Sequence, residues 1–214
     1  MRVFGDRPGR WWLWVFATAA MVLPAAVLHA ALSPEEPQVG GPTSLAGQLL
    51  IASPDMGDPF DHAVILMAQH DRGGALGIII NHPLATRPIA KILQAVGGDA
   101  RDVSGSVPIF FGGPVSAATA FILHSADYRG DRSLDIDGHV ALSDDTGVLR
   151  DIGLGKGPAK SLLALGYAGW GPSQLDGEIA HGAWVTVPEN SQLVFDDDRA
   201  KVWTDAMALH KTGR

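Results

Sequence analysis

The sequence predicts an α+β fold with a mixed β-sheet and flanking helices, preceded by an apolar N-terminal helix. The chain has 214 residues, of which 46% are hydrophobic and 18% charged, enough for a single domain with a sizeable core. Short apolar runs typical of strands outnumber the helix-like segments and do not alternate regularly with them. This pattern disfavours a doubly wound nucleotide-binding fold. The apolar helix is predicted because Trp11 to Leu32 carries no charged residue.

Residues 1–32 combine a basic start with an apolar stretch, which predicts a signal peptide or a membrane anchor. Both alternatives remain open, and either would make the protein exported or membrane-anchored. If translation instead begins at Met21, the apolar run is too short to span a bilayer and the protein is expected in the cytoplasm. Residues 33–44 are rich in Pro, Gly and Glu and predict a flexible linker, followed by one domain over residues 45–214.

The charge balance of the domain disfavours nucleic acid as a partner. Removing the three Arg and one Asp of residues 1–32 from 16 basic and 23 acidic residues leaves 13 and 22, a net charge of −9. Phosphate contacts supply most non-specific affinity for nucleic acid, and they require basic side chains. The sequence contains no cysteine, which excludes disulfides, thiolate nucleophiles and cysteine metal sites.

The first half of the domain predicts three strands and a helix. Gln48 to Ser53 is a short apolar run that ends at a proline, and Ala63–Gln69 and Ala75–Ile80 form a hairpin around a Gly-containing loop. Both hairpin strands are apolar throughout, so both of their faces are expected to be covered. Arg87 to Val96 is predicted to be helical because its apolar residues recur at i, i+3, i+4 and i+7.

The second half predicts further strands and helices in irregular order. Strands are expected on either side of the Gly-Gly-Pro turn at residues 112–114, and one more strand is expected late in the chain. The predicted strands are Val107–Phe111, Ala120–His124 and Trp184–Val187, and the predicted helices are Asp145–Ile152, Pro158–Leu165, Pro172–Ala180 and Arg199–His210.

Residues 165–179 combine four glycines with two large aromatic side chains before a predicted helix. Glycine is favoured where the backbone needs a positive φ or a close approach, so this segment predicts a tight corner or a ligand-facing loop. Tyr167 and Trp170 either fill the core or present their rings to a small ligand or partner. Gln174 and Glu178 are four residues apart on the following helix and therefore share a face.

The familiar catalytic and phosphate-binding motifs are incomplete. The segment at residues 153–158 lacks the first glycine and the hydroxyl residue of a Walker A loop, and Pro158 takes the last glycine of a dinucleotide motif. No serine lies in a G-x-S-x-G motif, and the histidines and aspartates do not follow metal-site spacing. No catalytic residue, metal ligand or cofactor is therefore assigned.

Several segments resemble the AlgH/YqgE family of bacterial proteins, in order and spacing, from about Leu45 to His210. The resemblance implies one α+β domain built on a coiled, bifurcated sheet, and it carries a transcriptional-regulator label but no established reaction or cofactor. Family members usually begin near the first strand and look cytosolic, so the N-terminal extension here is a departure. The matching segments are LLIASP at 49–54, DPF at 58–60, GIIINHP at 77–83, FGGPV at 111–115, FILH at 121–124 and residues 166–179.

These observations favour a non-catalytic binding or regulatory protein, with an unknown protein or small-molecule ligand as its partner and an open oligomeric state. The first alternative is an enzyme of unknown reaction that uses His124 or Glu178 as its acid or base. The second alternative is a DNA-binding transcriptional regulator. The polar, glycine and aromatic positions expected to form the binding site are Asn81, His82, Gly113, His124, Tyr167, Trp170, Gln174 and Glu178.

Overall fold

The computed structural model describes residues 44–212, so the predicted N-terminal helix and nearly all of the predicted linker lie outside the described residues. The described part contains ten strands and five helices. The strands are β1 (Gln48–Ala52), β2 (Val64–Asp71), β3 (Gly74–Ile79), β4 (Pro83–Pro88), β5 (Ser106–Phe111), β6 (Val115–Ser125), β7 (Ser133–Asp135), β8 (Val140–Ser143), β9 (Ser161–Trp170) and β10 (Trp184–Pro188). The helices are α1 (Ile89–Ala95), α2 (Thr146–Gly153), α3 (Gln174–Ala180), α4 (Ser191–Val194) and α5 (Val202–Thr212).

All ten strands belong to one mixed sheet, and its main path runs β10-β1-β2-β3-β9-β6-β8-β7. The pairs are antiparallel except β5 with β9, which is parallel. The strand β9 is the branch point, because it pairs with β3 near its end, with β5 near its start and with β6 along its other edge. The antiparallel part curls into a half-barrel, and the helices pack around it.

Two hydrophobic clusters fill the space between the sheet and the helices. The first lies around β1, β2, β3 and β10 and includes Phe60, Trp170, Leu175 and Trp184. The second lies between α1, α2 and the strands β5, β6 and β9, and includes Leu93. Because β9 borders both clusters, seven of its ten residues are buried.

The predicted helix at Pro158–Leu165 is wrong, because these residues enter the long strand β9. Leucine and alanine favour helices in isolation, but a continuous apolar run also suits a strand that is buried on both faces. The tight corner or loop predicted within residues 165–179 is wrong as far as Trp170, since β9 continues to that residue, whereas residues 171–173 form a turn before α3. Gly166 nevertheless takes a positive φ of 74° inside this strand, which is the freedom that the glycine pattern indicated.

Other segments were placed correctly or nearly so. The hairpin of β2 and β3, the helix α2, and the strands β1 and β10 are confirmed within two residues. The helix predicted from Arg87 begins at Ile89, because residues 83–88 form the edge strand β4, which the sequence did not predict. The short elements β7, β8 and α4 were also missed. The longest described helix, α5, has 11 residues, and no helix within residues 44–212 has the length and hydropathy to cross a bilayer.

Candidate functional site

The carboxylate of Glu178 on α3 is the polar centre of the candidate site. Its Oε2 accepts hydrogen bonds from the indole Nε1–H groups of Trp170 at 2.9 Å and Trp184 at 2.8 Å. Its Oε1 accepts from Nε2 of Gln174, one helical turn earlier, at 2.9 Å. The Oε1 atom of Gln174 accepts in turn from the backbone N–H of Gly171 at 3.1 Å. Three side chains from β9, β10 and α3 thus hold one carboxylate, which we call the Glu178 cluster.

The two indoles of the Glu178 cluster are part of the core. Trp170 is 8% exposed and Trp184 is 2% exposed, and their rings meet edge to face with centroids 5.9 Å apart. Phe60 packs edge to face on Trp184 at 5.4 Å. A buried indole N–H needs an acceptor, and a carboxylate is a stronger acceptor than a neutral group. Glu178 therefore joins α3 to two strands of the sheet.

Asn81 fixes the chain that leads into β2. Its side-chain oxygen accepts from the backbone N–H of Val64 at 2.8 Å, and its Nδ2 donates to the carbonyl of His62 at 2.8 Å. Asn81 is 8% exposed, so these bonds lie inside the protein. The amide side chain replaces strand pairing at this point and holds His62 at a positive φ of 51°.

His82 follows Asn81 and lies partly exposed beside the loop of residues 53–62. Its Nε2 is 3.0 Å from the carbonyl oxygen of Asp61. Since a carbonyl only accepts, Nε2 carries the proton and donates. Burial lowers the pKa of His82, and the neighbouring Asp61 and Asp58 act in the opposite direction with a smaller effect. His82 is therefore a neutral imidazole near pH 7.

The loop of residues 53–62 presents three exposed carboxylates on a firmly held backbone. Asp55, Asp58 and Asp61 face solvent, whereas Met56 and Phe60 are buried between them and anchor the loop in the first hydrophobic cluster. Turn hydrogen bonds at 3.0 Å close the backbone at each anchor. We call the exposed carboxylates of this loop, together with His62 and His82, the acidic face.

The helix α5 supports the acidic face from one side. The Trp203 ring meets the His62 ring edge to face at 4.3 Å, and its Nε1 donates to the carbonyl of Ala52 at 2.9 Å. His62 itself pairs with Asp61, with Nδ1 and Oδ1 2.6 Å apart. The orientation of the His62 ring is thus set from two directions.

Gly113 and Tyr167 lie where two stretches of backbone cross. A Cβ on Gly113 would stand 2.1 Å from the carbonyl carbon of Tyr167, so only glycine fits there. The Tyr167 ring is 6% exposed and meets Phe121 edge to face at 6.0 Å. Burial raises the pKa of Tyr167, and a hydrogen bond to Ser116 acts in the opposite direction. Gly113 and Tyr167 therefore contribute to the packing of the sheet at this backbone crossing.

His124 is fully buried in β6, with 0% of its surface exposed. Its Nδ1 lies 3.0 Å from the carbonyl oxygen of Ser125, so Nδ1 carries the proton. Its Nε2 lies 3.2 Å from the hydroxyl of Ser133, so both ring nitrogens have partners inside the protein. Tyr128 covers the ring edge to face at 5.6 Å, and burial together with Asp151 raises the pKa of this tyrosine to about 12.

The eight predicted positions therefore do not form one site. Trp170, Gln174 and Glu178 come together, and Asn81 lies next to His82. His124 pairs with Ser161 at the start of β9, nine residues from Trp170. His124 therefore lies at the opposite end of β9 from the Glu178 cluster.

Sequence reasoning missed two contributors to the site. Trp184 was predicted only as a strand residue, and its hydrogen bond to Glu178 joins elements that periodicity treats separately. Asp61 was considered only as a turn carboxylate, although its backbone carbonyl orients His82. Within residues 44–212, no group of three metal-ligating side chains converges. The recurrence of aspartate every third residue was the available signal for the acidic face.

Comparison with known proteins identifies the family. The AlgH-like family model (DUF179) matches residues 49–213. The chain belongs to the AlgH-like family. UPF0301 proteins from Jannaschia sp. and Novosphingobium aromaticivorans are 43% and 42% identical to it over 166 and 163 residues. These alignments each cover 76% of this chain, and they cover 86% and 87% of the relatives.

Two solved structures share the fold. The solution structure of the AlgH protein from Pseudomonas aeruginosa matches with a TM-score of 0.65 and 34% identity, covering 81% of this chain and 92% of that one. The crystal structure of protein DIP2367 from Corynebacterium diphtheriae matches with a TM-score of 0.59 and 21% identity, which supports the fold alone. The family resemblance predicted from the sequence is confirmed.

Proposed function

We propose that this AlgH-like protein is a non-catalytic binding protein that recognises a partner through the acidic face. The observation that carries the proposal is that Glu178 and His124, either of which the enzyme alternative would use as its acid or base, are both hydrogen-bonded inside the protein. A general acid or base must reach a substrate within hydrogen-bond distance. Both oxygens of Glu178 already accept from protein donors, and both nitrogens of the buried His124 are occupied.

The acidic face has the properties of a preorganised binding surface. Its carboxylates are exposed, while the buried Met56 and Phe60 hold the loop that carries them. A surface that is already ordered loses little conformational entropy on binding, so more of the contact energy appears as affinity. In this proposal His82 contributes to the contact, and Asn81 keeps the loop in place.

Charge selects the class of partner. No Lys or Arg occurs between Leu45 and Asp71, so the carboxylates of the loop are not neutralised from within that segment. Complementary charge steers encounter and suppresses partners of the same sign. The partner is therefore a protein segment that carries Lys or Arg, and the net charge of −9 after residue 32 opposes nucleic acid.

In this proposal the Glu178 cluster, together with the backbone crossing at Gly113 and Tyr167, holds the acidic face rigidly in place. The turn before α3, residues 171–173, is exposed beside the cluster, and the backbone N–H of Ser53 donates to Ala183 just ahead of β10. Gln174 and Glu178 thus support the chain next to the start of the loop that carries the acidic face. Gly113, His124 and Tyr167 act through the stability of the sheet.

The N-terminal segment decides where this binding takes place. Residues 1–32 as a signal peptide or anchor, and residues 33–44 as a linker to the domain 45–214, remain part of the proposal. With that segment in use, the domain acts as an exported or membrane-anchored protein. With a start at Met21, it acts in the cytoplasm. The intact mass of the protein from its native cells, combined with cell fractionation, distinguishes these forms.

The binding proposal is tested by affinity capture from the native cells, using a pair of charge-matched variants. The test variant combines Asp58→Asn with Asp61→Asn, and the control combines the exposed Asp102→Asn with Asp131→Asn. Both variants lose the same formal charge, but only the first changes the acidic face. We expect the test variant to recover the main partner about tenfold less well than the control, because complementary charge is lost at the contact.

Three results would contradict this function. Equal recovery of every partner by the two variants would remove the acidic face from recognition. Turnover in a broad substrate screen that disappears in a folded Glu178→Asp or His124→Gln variant would instead establish the enzyme alternative. Retention of DNA on a filter at low salt would favour the regulator alternative.

A further inference from the structure

The curled sheet brings together two edges that lie at opposite ends of its strand order. The strand β10 begins the main path and β7 ends it. Glu189 follows directly after β10, whereas Asp137 lies in the turn between β7 and β8. The two carboxyl groups nevertheless face each other closely enough to hydrogen-bond. Gly47, just before β1, also meets this turn, since a Cβ there would stand 3.2 Å from the Asp137 Cβ.

If both facing carboxyl groups were ionised, one buried oxygen of each would lack a hydrogen-bond donor. Oε1 of Glu189 and Oδ2 of Asp137 are both buried, and neither has a donor within the described residues. The other oxygen of Asp137 is already used, because it accepts from the backbone N–H groups of His139 and Val140 at 2.9 Å. Two buried acceptors without a donor are costly, and one proton between them supplies the missing hydrogen bond.

We propose that Asp137 and Glu189 share one proton and act as a pH-operated latch between the two edges of the curled sheet. The shared proton closes the latch, and its loss leaves two negative charges facing each other in a partly buried seam. The latch is a property of the fold that goes beyond the binding function. It controls how firmly the β7–β8 turn is held against the end of β10.

The charged groups around the latch set its working range. Burial, followed by the charge of Asp137, raises the pKa of Glu189 to about 7, and His139 acts in the opposite direction. Asp137 and His139 both lie in the β7–β8 turn. On the neighbouring strand β1, the residue paired with Pro188 is the uncharged Gln48. Since a free glutamate titrates near 4.5, the folded protein holds the proton between about 4.5 and 7 and the unfolded chain does not. The stabilisation is complete below the lower value and is lost as the pH rises through the upper one.

The test compares thermal unfolding at pH 6 and pH 8 in the full chain and in two variants. For the natural protein we expect the melting temperature to fall by about 3 °C or more at pH 8. Glu189→Gln cannot ionise, and in Asp137→Asn the amide can donate to an ionised Glu189. Both variants should therefore lose most of this pH-dependent difference. The exposed Asp102→Asn serves as the control and should keep it.

Carbon-13 NMR of the Glu189 carboxyl provides the second measurement, because it does not depend on stability. A midpoint near pH 7 in the natural protein that moves well below 6 in Asp137→Asn supports the latch. A midpoint near 4.5 in the natural protein would overturn it, as would equal pH dependence of melting in the natural protein and Glu189→Gln. Stabilisation at pH 8 by millimolar calcium, combined with the low midpoint, would identify a bridging cation in place of the shared proton and would also overturn the proposal.

Discussion

Glu178 illustrates how a side chain that suggests catalysis can serve the fold instead. The sequence correctly placed Gln174 and Glu178 on one face of a helix near Trp170. It could not show that the same carboxylate also binds Trp184, because that contact depends on how β10 and β9 approach α3. Local spacing therefore predicted the members of the Glu178 cluster better than it predicted their role.

The glycines in the sequence mark places where the backbone is constrained, even though residues 166–170 form part of the strand β9 and not a loop. Gly113, which lies between β5 and β6, is the clearest example. We expect Gly113→Ala to destabilise the protein by more than about 3 kcal/mol or to prevent folding, because its Cβ would overlap the Tyr167 backbone. Gly177→Ala is the matched control, since nothing lies within 4 Å of its added Cβ and alanine favours the helix α3. Urea unfolding measures both. A Gly113→Ala protein as stable as the control would refute the backbone crossing.

At the scale of elements, the errors fall where long-range pairing overrides local preference. The run at residues 161–165 is rich in leucine and alanine, yet it forms the start of β9 between β5 and β6. The edge strand β4 was missed because it is largely exposed and bounded by Pro83 and Pro88, so it lacks a clear alternation. The β2–β3 hairpin was predictable because its turn and its apolar strands are adjacent in sequence.

Amide hydrogen exchange tests the central position of β9. We expect the amides of residues 163–165 to be among the slowest to exchange, because these residues are largely buried and have paired strands on both sides. The edge strand β4 pairs only with β5 and should exchange much faster. Mass spectrometry after peptic digestion resolves the two segments. Equal exchange in the two segments would contradict the branch point at β9.

At the scale of the whole molecule, the family and the sheet-dominated α+β class could be predicted, but the distribution of the site residues could not. The motifs at residues 77–83 and 111–115 carry the family resemblance because glycine and proline requirements are local. The latch joins Asp137 to Glu189, which are far apart in sequence and on opposite sheet edges. Only the curl of the complete sheet brings them into contact.

The central claim is that the Glu178 carboxylate is bound within the protein and is not available to a substrate. Nitrogen-15 NMR tests it through the indole N–H signals of Trp170 and Trp184, with Trp203 as an internal reference because it donates to Ala52 instead. We predict slow solvent exchange for both indoles, and a joint change of both signals in Glu178→Gln with the Trp203 signal unmoved. Exchange at the rate of free indole, with both signals unchanged in that variant, would show a carboxylate open to chemistry and contradict the claim.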